Sequence, residues 1–342
     1  MKQTSLFIAL ILFVSIMTIS SSCTNKAGRA IFVDSADSTA VDEVSEEPDT
    51  IAVERLTKTD TTRYASFSMK LELPTATEGV EGVIRKQLCD IVAERLSHVL
   101  SYEGSRKFSV LKDKDADNKT FFDYYFTHAA KVINADAKGD YDERAHWYNS
   151  DESLTDEQRK ENLSTIPSWD YDYKLVKVAD TLNYVVFLSQ EYSYTGGAHG
   201  GVGGDGDLTF SKLDGKMIEH FVDTTKVEAL QPLLREGLKS YFAENGEKLT
   251  DEELYGQLQL GISGNERTIP LPMYQPFPTA EGLVFTYQQY EVACYAAGMP
   301  SFVIPYKKIA RYLTPEATKL LKPLPTSPRG RRSNEKKLLI EN

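Results

Sequence analysis

Cysteine is scarce in this chain: three in 342 residues, at positions 23, 89 and 294. With no CxxC pair among them, a cysteine-based metal site is excluded. Histidine is nearly as sparse, and His98, His128, His146, His199 and His220 are scattered without the HExxH spacing of a zinc hydrolase. No Gly-x-Ser-x-Gly elbow occurs, so the usual strand-to-helix nucleophile is missing too. Long apolar runs are absent: the longest, Leu6 to Ile19, falls short of the ~20 residues a spanning helix needs. Positive charge is in deficit, with 39 Lys and Arg against 50 Asp and Glu for a net charge of −11. An acidic surface of this kind repels nucleic acid and suits a cationic protein or a neutral glycan.

The short apolar run is informative where it stands. Met1-Lys2, the run itself, and Ser20-Ser21-Ser22 before Cys23 have the basic start, apolar centre and small residues of an export signal ending at a lipidated cysteine. The expectation is a signal peptide over 1–22, acylation of Cys23, and a lipid anchor to the bacterial envelope. The acyl chains would hold the membrane at ~0.8 kcal/mol per buried methylene. Loss of residues 1–22 removes Lys2 and shifts the net charge from −11 to about −12. The residues after Cys23 lack an early acidic cluster, which places the anchored protein on the periplasmic side of the outer membrane. Outside the cytoplasm Cys89 and Cys294 could pair. Each also fits a small buried hydrophobe, Cys89 in a helical apolar pattern and Cys294 in an aromatic strand-like run.

Composition divides the rest. Residues 23–60 are rich in Ser, Thr, Asp, Glu and Ala and read as a flexible acidic tether with too little apolar area to offset ordering. Residues 323–342 carry Arg329, Arg331, Arg332, Lys336 and Lys337 and read as a basic, disordered tail. Between them the chain has length and apolar content for a sizeable core.

Alternation at Phe67, Met69, Leu71 and Leu73 predicts a strand closed by Pro74. Helices are expected over 79–100, 121–132 and 154–163, the last opened by Thr155-Asp156-Glu157. Residues 169–178 and 182–194 read as an antiparallel hairpin. After a glycine-rich bend come a short hairpin around Leu213-Asp214-Gly215, an amphipathic helix over 227–242, strands over 283–295 and 302–305, and a helical end. This order predicts an α+β fold: a two-part body of antiparallel strands packed with helices, 61–200 and 201–322, with the glycine-rich bend between the parts.

That bend, residues 196–207, invites motif readings. Gly201, Gly203 and Gly206 match the spacing of a dinucleotide fingerprint, but a strand-like run follows where a helix is required. One copy of a calcium-binding nonapeptide pattern is too few to stack, which leaves Asp205 and Asp207 as candidate calcium ligands by themselves. No cofactor or metal is expected. The third reading is a recognition loop at the end of a strand, built on Tyr192, Tyr194, Thr195 and His199. Its bland counterpart is a tight bend held by a hydrogen bond from His199.

Tyr192-Ser193-Tyr194-Thr195-Gly196-Gly197-Ala198-His199, the run from Phe285 to Gly298, and Val303-Ile304-Pro305-Tyr306 together resemble the RsiV/PdaC-like extracytoplasmic domains. These supply the sensor part of lysozyme-binding anti-sigma-V factors and the non-catalytic region of some peptidoglycan deacetylases. The resemblance runs from about Tyr64 to Pro315. It implies an α+β body in two parts and a binding role, with Tyr194, His199, Tyr290, Glu291, Tyr295 and Tyr306 as the matching positions and ligand-binding candidates. A spanning helix with a sigma-binding segment, and a separate metal-dependent deacetylase domain, are both missing from this chain. The first expectation is therefore a lipoprotein that binds a lysozyme-like hydrolase or peptidoglycan without catalysis. An enzyme using His199 and Glu291 as acid and base, and a structural subunit of an outer-membrane assembly, are the alternatives.

Overall fold

The computed structural model describes residues 50–101, 104–243, 248–261 and 266–321. The signal peptide, Cys23, most of the expected tether and the basic tail lie outside these residues. Among the described residues no helix is long and apolar enough to cross a membrane.

The first sheet is built on β1 (Val53–Thr61) and β2 (Ala65–Pro74), an antiparallel hairpin. Thr62 closes its turn, with its hydroxyl accepting the amides of Tyr64 and Ala65. In β2 the alternation expected from sequence is realised: Phe67, Met69, Leu71 and Leu73 are wholly buried. The strand β1 corrects the tether boundary. Its residues VERLTKTDT alternate weakly and stay largely exposed, so composition made them look unstructured, yet they bond β2 along the whole strand.

Three helices follow: α1 (Gly79–Ser97), α2 (Asn118–Ser150) and α3 (Asp156–Thr165). Ile84, Leu88, Val92 and Leu96 of α1 and Phe122, Phe126, Ala129 and Ile133 of α2 form the apolar layer against the sheet. Phe67 stacks on Phe126 with ring centroids 5.1 Å apart. The helix α2 runs far past the expected 121–132. Beyond Ala137 it has no apolar stripe and is dressed with i,i+4 ion pairs, Lys138–Asp142 and Asp140–Arg144, which stabilise a solvent-facing helix without leaving a hydrophobic period. Thr155 caps α3 in a reciprocal capping box with Gln158.

The chain then returns as β3 (Trp169–Asp180), β4 (Tyr184–Tyr194) and β5 (Gly201–Ser211), completing a five-stranded sheet in sequence order. The pairing of β2 with β3 is parallel, Ala65 opposite Trp169. This departs from the antiparallel expectation, and the α1–α3 segment supplies the crossover a parallel pair requires. The glycine-rich stretch is also corrected: only residues 195–200 bend, and from Gly201 the chain is an edge strand paired with β4. The first core accordingly reaches Leu208 and Phe210, beyond the boundary expected at 200. The expected short hairpin around Leu213-Asp214-Gly215 is present in minimal form: Met217 bridges Phe210 antiparallel, with Ser211 N–H donating to the Lys216 carbonyl and Ile218 N–H to the Thr209 carbonyl, both at 2.9 Å.

A second core gathers around α4 (Val227–Phe242), whose Leu230, Leu234 and Leu238 are fully buried. It includes α5 (Asp251–Gln257), a small antiparallel sheet of β6 (Phe277–Pro278), β7 (Gly282–Thr286) and β8 (Ser301–Pro305), then α6 (Tyr306–Ile309) and α7 (Pro315–Leu321). Gln231 is buried and bonds both backbone groups of Ile269, at 2.8 and 2.9 Å. The expected strand over 283–295 ends at Thr286. The residues after it turn irregularly, and Cys294 is exposed there, not buried; Cys89 is half-buried, and both are free thiols. Burial pushes the Cys89 thiol up to about 11, so it stays protonated and unreactive near neutral pH. The α+β class stands, with helices segregated from strands in both parts.

Candidate functional site

The bend after β4 and the irregular segment after β7 meet at their tips. His199, exposed, lies flat on Tyr295, with ring centroids 3.6 Å apart and planes 15° from parallel. His199 Nδ1 is 3.1 Å from the Gly200 carbonyl and Nε2 is 3.1 Å from the Tyr290 hydroxyl. A carbonyl only accepts, so Nδ1 carries the proton, and Nε2 accepts from Tyr290. Tyr290 sits 5.7 Å from Tyr295 and is 60% exposed. It has a φ of +65°, an uncommon conformation for a bulky residue, which the surrounding turn must hold.

Glu291 does the holding. Its Oε2 accepts the Gln288 amide at 2.7 Å and its Oε1 accepts the Met273 amide at 2.5 Å. Burial raises its carboxyl above the usual range and those two amides partly offset this. Both oxygens are thus committed to backbone, and no hydrogen bond joins Glu291 to His199. The acid–base pair considered from sequence is not assembled. Gln289 pins the turn to β5 by accepting the Val202 amide at 3.3 Å.

Of the six positions singled out by resemblance, the structure brings together His199, Tyr290 and Tyr295 as a surface platform, with Glu291 supporting it from below. Tyr306 stands apart: its hydroxyl donates to the Thr279 carbonyl at 2.7 Å, a structural bond in the second core. Tyr194 is half-buried at the end of β4, opposite Asp170.

Sequence reasoning missed what β5 does behind this platform. Between Ser189 opposite Gly206 and Gln190 opposite Gly204 the register shifts, leaving Asp205 as the extra residue of a bulge. Gly204 has a φ of +121°, and a Cβ there would lie 2.5 Å from the Ser189 carbonyl oxygen. Gly206 has a φ of +73° and packs directly beneath Tyr274. Simple alternation would put Asp205 and Asp207 on one face; the bulge gives them different surroundings. Asp205 bonds Arg95 of α1 at 2.6 Å and Ser189 Oγ at 2.8 Å, in an open polar cleft of about 790 Å³ that Glu191 and Tyr171 also line. Tyr171 donates to Glu191 at 2.7 Å, and burial followed by that carboxylate holds the phenol far above its ordinary range. Asp207 instead lines a separate cavity of about 110 Å³ beside the second sheet, with Gln190, Tyr274 and Gln288. The two aspartates therefore do not share a calcium ion. Among the described residues no group of three or more His, Cys, Asp and Glu side chains could hold a metal.

One solved structure shares this fold at a TM-score above 0.5. The chain is similar to the crystal structure of a DUF3298 family member from Bacteroides fragilis NCTC 9343, at 17% identity and a TM-score of 0.52, covering 80% of this chain and 98% of that one. A DUF3298 family protein from Pseudomonas aeruginosa PAO1 is similar at 14% identity and a TM-score of 0.47, covering 79% of this chain and 97% of that one. No curated protein matches the chain. Residues 221–307, which supply Tyr290 and Tyr295 to the platform, match the model of the family described as "Protein of unknown function (DUF3298)".

Proposed function

We propose that this protein is a lipid-anchored binding module of the bacterial envelope, and that it docks a cell-wall ligand, peptidoglycan or a lysozyme-like hydrolase, on the platform of His199, Tyr290 and Tyr295. The observation that carries the reading is the cluster of three rings at the surface, His199 stacked on half-buried Tyr295 with exposed Tyr290 tilted against both, held in place by the bond of His199 to the Gly200 carbonyl and by the backbone bonds of Glu291. Rigid aromatic faces give large contact area at low entropic cost, and they stack on sugar rings as readily as on protein side chains. The resemblance to RsiV/PdaC-like domains supplies the ligand class, and the export signal ending at Cys23 supplies the location. The net charge of −11 suits a cationic hydrolase and is neutral toward glycan.

The test is binding of the full chain, in detergent, to a c-type lysozyme and to purified peptidoglycan fragments, at low salt and at roughly tenfold higher salt. Binding to one of the two is expected, weakened about tenfold or more by His199→Ala. Salt sensitivity identifies the protein ligand and salt indifference the glycan. Absence of binding to both, or binding untouched by His199→Ala, would overturn the reading.

A further inference from the structure

Strand β1 leaves one side of the five-stranded sheet open. Two backbone bonds frame its hairpin with β2, from the Thr62 amide to the Ala65 carbonyl at 2.8 Å and from the Thr75 amide to the Ala52 carbonyl at 3.0 Å. They set the alternation of the antiparallel ladder between them. Glu54, Leu56, Lys58 and Asp60 therefore direct their backbone groups to β2, while Val53, Arg55, Thr57, Thr59 and Thr61 turn theirs outward. Among the described residues no strand lies on that side.

Natural sheet edges are usually blunted by shortness, proline, bulges or a covering element. The other edge obeys this, since β5 is bulged and its Gly206 packs beneath Tyr274. β1 has none of these devices: it runs for nine residues without proline and in unbroken register with β2. What it carries is charge of both signs, at Glu54, Arg55, Lys58 and Asp60. Such a pattern repels most alignments of a neighbouring strand and so selects among them.

We propose that β1 is a dimerisation strand, pairing antiparallel with β1 of a second copy about a two-fold axis at Leu56 and joining the two sheets into one. Only alignments that set odd-numbered residues opposite odd-numbered ones bring outward groups to outward groups. Within that set charge decides. An axis at Leu56 places Glu54 opposite Lys58 of the second copy and Lys58 opposite its Glu54. Arg55 then faces Thr57 and Val53 faces Thr59, each pair exchanging backbone hydrogen bonds. An axis at Arg55 sets that cation against itself, and one at Thr57 sets Glu54 against Asp60 on both sides. One step further in either direction opposes Glu54 or Lys58 to itself. Like charges directly opposite destabilise a strand pair and unlike ones stabilise it.

The side chains suit the Leu56 alignment. Glu54 is exposed and has no ion pair among the described residues. Lys58 lies on the same face, 49% exposed and 3.8 Å from Asp123. Leu56 is half-buried against the first core, and a second Leu56 across the axis covers its open side. The inference goes beyond the platform and does not depend on it. Pairing gives each particle two platforms, and so avidity toward a ligand with repeated sites.

Sedimentation velocity of the full chain in density-matched detergent, from about 1 to about 100 μM, should show a concentration-dependent dimer. Glu54→Lys and Lys58→Glu each set like charges opposite one another at both pairs, and each should weaken dimerisation about tenfold or more. Mixed together, the two variants again oppose unlike charges at both pairs, so the mixture should dimerise about as tightly as wild type. That recovery also shows that both variants are folded. Thr57→Pro removes an outward amide without touching the bonds to β2, and should leave a monomer. Wild type that stays monomeric throughout, charge variants that dimerise unchanged, or a mixture no tighter than either variant alone would overturn the assignment.

Discussion

Asp207→Asn is expected to stabilise the protein by up to about 4 kcal/mol at about pH 8, and by only about 1 kcal/mol at about pH 4.5. In the folded chain burial raises this carboxyl from 3.8 to about 7. Below 3.8 both the folded and unfolded forms are protonated and the group does not affect stability. Between the two values the unfolded chain ionises while the folded chain keeps its proton, so stability falls as pH rises. Above about 7 both are ionised and the full penalty applies, a difference of roughly three units at 1.36 kcal/mol each. Asparagine keeps the shape without the charge and removes that slope. Urea unfolding midpoints of both proteins across this pH range would show it as curves that diverge with increasing pH. Parallel curves would mean that Asp207 is solvated or paired in the folded protein.

Gly204→Val should lower stability by about 3–4 kcal/mol, combining a positive φ that valine resists with overpacking against β4. The overlap is with backbone, 2.5 Å to the Ser189 oxygen and 2.8 Å to the Gln190 Cα, and backbone cannot move aside as a flexible side chain can. Gly201→Val is the matched control on the same strand. No atom lies within 4 Å of a Cβ there, and valine suits a strand, so stability should stay within about 0.5 kcal/mol of wild type or rise. Thermal unfolding of the pair decides the point; equal losses at both positions would contradict the bulge.

These two residues also show where sequence reading stops. Strand β2 was legible because one face is wholly buried, so Phe67, Met69, Leu71 and Leu73 carry a clean period of two. The helix α4 was legible for the same reason at a period of 3.6. Strand β1 and the outer half of α2 were not, since pairing and ion pairs hold them with little apolar burial. The parallel partnership of β2 with β3 joins residues as far apart as Ala65 and Trp169, and local periodicity holds no record of it. The bulge is a single-residue offset inside a run of glycines, where no side-chain pattern marks the register. Among the candidate residues, chain order and resemblance located His199, Tyr290 and Tyr295, while the contact between them, and the separation of Tyr306 from them, are tertiary facts.

Tyr295 and Tyr306 resemble the same family pattern, yet one stacks on His199 and the other bonds the Thr279 carbonyl. Affinity for peptidoglycan fragments and for c-type lysozyme, measured on Tyr295→Ala beside Tyr306→Phe, separates a binding platform from a shared fold. If the platform binds the ligand, Tyr295→Ala weakens binding at least about tenfold while Tyr306→Phe stays within about twofold of wild type. Unchanged binding in Tyr295→Ala, with the variant folded, would contradict it.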